Sequence, residues 1–242
     1  MSSTLILVLL AGTVAQPAGG PPPFVREYAR KATFYYKAPD PELGPKMLKS
    51  ILQKENLEFP PFNASEGHVL NLIAAQIGDI GAGHPKVVRA YEAEFADAPP
   101  AGRKVILRAL ENAGDKETVK QVEAWLADPK YADAKAGLEA LKKHLEDPKR
   151  THARDREPKT PKDLDLLWSN FFITGEYAPV SRILDVFDRA DADATMKGAA
   201  RWSLGSNLQQ HPKLVELVMK NAKDRPEGSK KVIDEVILVP KN

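Results

Sequence analysis

Proline placement decides what this chain can become. Three times a turn is followed by a proline and then a fresh apolar run: His84-Pro85-Lys86-Val87-Val88, Ala178-Pro179-Val180 and His211-Pro212-Lys213-Leu214-Val215. Proline cannot donate to a strand ladder or a helix interior. At the first helical turn the missing N–H has no intrahelical partner anyway, and the fixed φ suits the start. A chain punctuated this way is a string of short helices. The runs between the prolines agree. Met47, Leu48, Ile51 and Leu52 form a stripe at helical spacing within 41–57, after which Pro60-Pro61 is expected to end the helix. Val119, Val122 and Trp125 recur every third residue, and Leu138, Leu141 and Leu145 share a face of 131–145. Asn63-Ala64-Ser65-Glu66 offers an N-cap for a helix carrying Val69, Leu70, Leu72 and Ile73, which Gly78, Gly81 and Gly83 close. No Asn-Gly or Asp-Gly joins two alternating runs, so no hairpin is expected. Residues 232–239 are read as a final helix, because a lone strand would have no partner for its backbone.

The punctuation is doubled late in the chain. Leu166-Leu167-Trp168-Ser169 leads through Gly175 to Pro179, and Arg201-Trp202-Ser203-Leu204 leads through Gln209-Gln210 to Pro212. Each copy reads as a helical hairpin, in a unit of roughly 34–45 residues. The expected fold is all-α: about ten short helices stacked as irregular antiparallel hairpins, an α-solenoid-like array of the HEAT or tetratricopeptide kind without the tetratricopeptide spacing. Trp168, Phe171, Phe172 and Trp202, with His211 in the following turn, are the candidate site residues. Their spacing is first of all that of core packing, with a groove for an apolar or peptide ligand as the alternative. The early cluster Phe24, Tyr28, Phe34, Tyr35 and Tyr36 is expected to form an apolar lid on one end of the array, with Phe24 and Tyr28 on one face.

The ends and joints are read from composition. Residues 1–15 are expected to be a signal peptide cleaved after Ala15, since the apolar segment from Leu5 to Ala15 is too short to cross a bilayer. A Pro/Gly linker follows over 16–23. A first helical array is expected over 24–145, a charged linker or loop over 146–162, and a second array packed on the first over 163–242. The expected location is therefore periplasmic or extracellular, with the cytoplasm as the alternative.

Composition narrows the chemistry. There is no cysteine, which excludes disulfides, thiolate metal sites and thiol nucleophiles. A net charge of +2 leaves no strong field to draw nucleic acid or an anionic membrane. No cofactor, metal or nucleic-acid partner is expected, nor a membrane span in the mature chain. His144, Glu146, Asp147, His152 and Asp155 lack metal-ligand spacing and read as a solvated linker. Ser169 and Ser203 lie inside apolar helices, without the exposed turn a nucleophile needs. His84 and His211 hold equivalent turn positions.

The segments Phe34-Tyr35-Tyr36 with Pro39-Asp40-Pro41, Leu166-Leu167-Trp168 through Pro179-Val180, and Trp202-Ser203-Leu204 through His211-Pro212 resemble a set of uncharacterised bacterial α-helical repeat-like proteins. The resemblance implies the helical fold and no activity. The expectation is an exported, non-enzymatic protein that binds another protein or peptide, or acts as a scaffold. The competing expectation is a hydrolase-like enzyme with a site assembled from Glu176, Asp185 or His211.

Overall fold

The structure, a computed structural model, describes residues 23–151, 155 and 157–237. The expected signal peptide, all of the Pro/Gly linker but Pro23, and His152 lie outside the described residues. Among those residues the chain is all-α, with thirteen α-helices and no strand. The first eight are α1 (Pro23–Thr33), α2 (Leu43–Ile51), α3 (Lys54–Leu57), α4 (Pro60–Gly81), α5 (Pro85–Glu94), α6 (Pro100–Ala113), α7 (Lys116–Ala127) and α8 (Lys135–Glu146). The remaining five are α9 (Pro161–Thr174), α10 (Tyr177–Asp185), α11 (Ala194–Leu208), α12 (Pro212–Asn221) and α13 (Glu227–Ile237).

Local rules set most of the boundaries. Pro60, Pro85, Pro100, Pro161 and Pro212 each stand first in a helix. Thr160 and Asp163 form a capping box at α9, with Thr160 N–H donating to Asp163 Oδ2 at 2.8 Å. Asp115 accepts from Thr118 N–H at 2.9 Å to start α7. Gly175, at φ +62°, ends α9 in the left-handed conformation that glycine adopts at least cost. Two stretches differ from expectation. The single helix expected over 41–57 is broken at Leu52-Gln53 into α2 and α3. Pro60-Pro61 opens α4 instead of closing the helix before it, so Asn63-Ala64-Ser65-Glu66 falls inside α4 instead of capping it. The reason is the first-turn preference of proline that operates at the other junctions.

Among the described residues, two apolar clusters form the core. The first gathers Met47, Leu48, Ile77, Phe95, Ile106 and Leu138 with their neighbours from α1–α8. The second gathers Trp168, Phe171, Leu184, Leu204 and Leu214 with theirs from α9–α13. Helix α4 packs closely on α6 because Gly78 has no side chain: a Cβ there would meet the Ala109 carbonyl and lie 2.9 Å from Asn112 Cβ.

Helix α9 joins the clusters, contacting α4, α1, α10 and α11. It is buried on nearly every side, and Ile173 belongs to the first cluster while Trp168 belongs to the second. Polar bonds cross the same seam. His68 Nε2 lies 2.9 Å from Asp165 Oδ2, and Asn170 Nδ2 donates to Asp79 Oδ2 at 2.8 Å. The all-round burial of α9 explains why the two Trp-Ser copies differ. Ser169 and Ser203 are both buried, but Trp202 sits on α11, which buries a single face, and is 50% exposed against 2% for Trp168.

Candidate ligand-binding site

Two short elements build the candidate site. Helix α1 ends in Arg30 and Lys31, and Thr33 turns back with its hydroxyl donating to Ala29 O at 2.9 Å. The chain then tightens into the 3-10 turn Tyr35–Lys37, where Ala38 N–H donates to Tyr35 O at 3.0 Å. Asp40 receives the Glu42 N–H at 3.0 Å and leads into α2. Side chains of a 3-10 turn fan outward by about a third of a turn per residue. Tyr35 therefore enters the first core, while Phe34 and Tyr36 face the junction of α11 and α12.

At that junction stands His211, the residue before Pro212, fully buried. Its Nδ1 and the Tyr36 hydroxyl share a hydrogen bond of 3.1 Å. Phe172 stacks on the imidazole at 5.0 Å between ring centroids, Phe34 lies at 4.8 Å and Phe171 at 5.7 Å. Burial, with the nearby charge of Lys37 adding to it, pushes the His211 pKa down to about 4, so the ring is neutral at physiological pH. Burial likewise raises the Tyr36 phenol above its ordinary value. The buried imidazole, packed between aromatic rings, supplies packing and anchorage at this junction.

On the outer side of this turn lies a depression of about 670 Å³. Arg30, Lys31, Lys37 and Lys46 line it, as do Phe34 and Tyr35, and Gln210 closes it from the second half of the chain. Glu27 and Asp40 are the carboxylates in its wall. Lys37 Nζ rests over the Phe34 ring, 4.6 Å from its centroid. Lys46 reaches Asp40 Oδ2 only at 4.0 Å. Among the described residues, Arg30, Lys31 and Lys37 have no carboxylate at ion-pair distance. The site thus offers free cations beside an aromatic edge, which suits an anionic ligand with an apolar part.

The expected site residues divide. Trp168, Phe171, Phe172 and His211 meet, but as packed core behind the turn, with Trp168 and Phe171 rings 6.0 Å apart. Trp202 stands on the outer face of α11 and makes no ring contact with them among the described residues. Glu176 precedes α10 and is exposed, whereas Asp185 accepts from Arg225 Nη2 at 2.6 Å. His84 and His211 share a backbone conformation, with φ of −116° and −122°, yet His84 faces solvent and His211 does not. Among the described residues no three His, Asp or Glu side chains gather as a metal site, and no helix is long and apolar enough to cross a membrane.

The cations of the depression escaped the sequence reading because they are spread over α1, the turn and α2. The available signal was Phe34-Tyr35-Tyr36 flanked by Arg30, Lys31 and Lys37.

The fold and site define an all-α protein with a basic, aromatic-edged surface depression. No family model, curated protein or solved structure matches this chain.

Proposed function

We propose that this chain is a non-enzymatic helical protein, exported to the cell envelope, that binds a segment of another protein or serves as its scaffold. The observation that carries this reading is the depression of about 670 Å³ beside the aromatic turn, with three cations on its rim that have no carboxylate partner among the described residues. A volume of that order lies in the usual range for ligand sites, about 300–1,000 Å³. Export is supported by the apolar segment before the Pro/Gly run. A solenoid-like stack is supported by the hairpins α9–α10 and α11–α12, each closed by a short turn. The hydrolase alternative fares worse, because Asp185 is bonded to Arg225 Nη2 and His211 is sealed among rings.

The test is capture from envelope extract by the wild-type chain and by Ala38→Trp, which fills the depression. A partner retained by the wild type and lost by the variant supports the reading. Equal capture by both, or none by either, overturns it. Export is tested separately by sequencing the N-terminus of protein from its native host: a chain starting at Gln16 is expected, and one starting at Met1 overturns export.

A further inference from the structure

We propose that the depression recognises carboxylates: its ligand is an acidic peptide segment in which an apolar or aromatic side chain is flanked by Glu or Asp. This deepens the binding reading and rests on it. Arg30, Lys31 and Lys37 would each meet a ligand carboxylate, and the Phe34 edge would take the apolar side chain.

Three observations point this way. The first is charge. Among the described residues, four cations line the depression against two carboxylates, so the wall is basic yet interrupted. Glu27 and Asp40 would repel a continuous polyanion such as a nucleic-acid backbone, whereas discrete carboxylates can be threaded between them. The second is the resting state of Lys37. Its ammonium lies over the Phe34 ring, a weak contact at an exposed site, so a ligand carboxylate can draw it away at little cost and uncover the ring. The third is shape. Arg30, Lys31, Lys37, Ala38 and Lys46 are all exposed, so the walls remain open to water. A small molecule there would keep much of its surface wet, while an extended segment can gather contacts along its length.

The test titrates the full chain with a synthetic peptide of alternating Glu and Phe, its Gln-for-Glu counterpart, and single-stranded DNA. The acidic peptide is expected to bind about tenfold or more tightly than the Gln peptide, as several exposed ion pairs together supply. Lys37→Glu should weaken the acidic peptide by several-fold, and Arg30→Glu with Lys37→Glu by about tenfold or more, with thermal unfolding unchanged. Lys143→Glu, on α8, should leave binding as in the wild type. Equal affinity for the Gln peptide, tighter binding of DNA, or indifference to Lys37→Glu overturns the proposal. Capture that Ala38→Trp abolishes, alongside failure of the acidic peptide, would leave the binding reading standing and remove only the carboxylate chemistry.

Discussion

Tyr36 and His211, at opposite ends of the described chain, share a hydrogen bond of 3.1 Å between Oη and Nδ1. That bond fixes the aromatic turn of the first half on the α11–α12 junction of the second, and so shapes the depression. His211 Nε2 has no hydrogen-bond partner among the described residues, which leaves Tyr36 as the ring's polar anchor. Tyr36→Phe is expected to destabilise the fold by about 1–3 kcal/mol, because a buried imidazole loses its partner. His211→Ala should cost more, about 2–5 kcal/mol, since it also opens a cavity among Phe34, Phe171 and Phe172. Chemical denaturation measures both, and an unchanged midpoint in either variant contradicts the anchor.

Acid should loosen the same junction. The folded chain holds His211 neutral, with a pKa of about 4 against an ordinary value of 6.5. Between those values the unfolded chain takes a proton that the folded chain refuses. The contribution is therefore complete above the ordinary value and disappears as the pH falls toward the folded one, a loss on the order of 3 kcal/mol. His211→Phe removes the titration. Its stability relative to wild type should improve steadily between neutral pH and pH 4, and parallel pH profiles would refute this.

The two tryptophans of the doubled motif should behave differently. Trp168→Ala is expected to cost about 3–5 kcal/mol, as for other large buried side chains. Trp202→Ala should cost under about 1 kcal/mol, because half of that ring already faces solvent. Equal losses in thermal unfolding would restore the equivalence that the sequence suggests.

Glycines within helices provide a paired test. Gly78→Ala forces a methyl group against the Ala109 carbonyl and Asn112, so a loss of about 1–3 kcal/mol is expected. A Cβ at Gly198 of α11 would meet nothing within 4 Å. Gly198→Ala should therefore stabilise by about 0.5–1 kcal/mol through helix propensity alone. Melting temperatures that move in the same direction would show the α4–α6 approach to be wrong.

How much was legible in the sequence depends on the range of the interaction concerned. Helix starts at Pro85 and Pro212, and the stripe of Met47, Leu48 and Ile51, follow from rules acting within one or two turns, and they could be read directly. Pro60-Pro61 is local too: a proline pair can end one helix or open the next, and here it opens α4. Trp202 was different. Its spacing copies that of Trp168, but orientation depends on how many helices surround each one, and periodicity does not encode that. The site was harder still. Phe34 and Tyr36 meet His211 across most of the chain, and Arg30, Lys37 and Lys46 converge only after α1, the turn and α2 have packed. Residue types announced an aromatic, basic segment; only the tertiary fold gave it a cavity.

On the proposed function, ligand enters the depression beside the aromatic turn. Amide exchange of the full chain, measured with and without the acidic peptide, tests it most directly. Protection concentrated over residues 27–46 and at Gln210 is the predicted result. Protection confined to α11 and α12 around Trp202 and Met219, the large apolar side chains most exposed among the described residues, would contradict it.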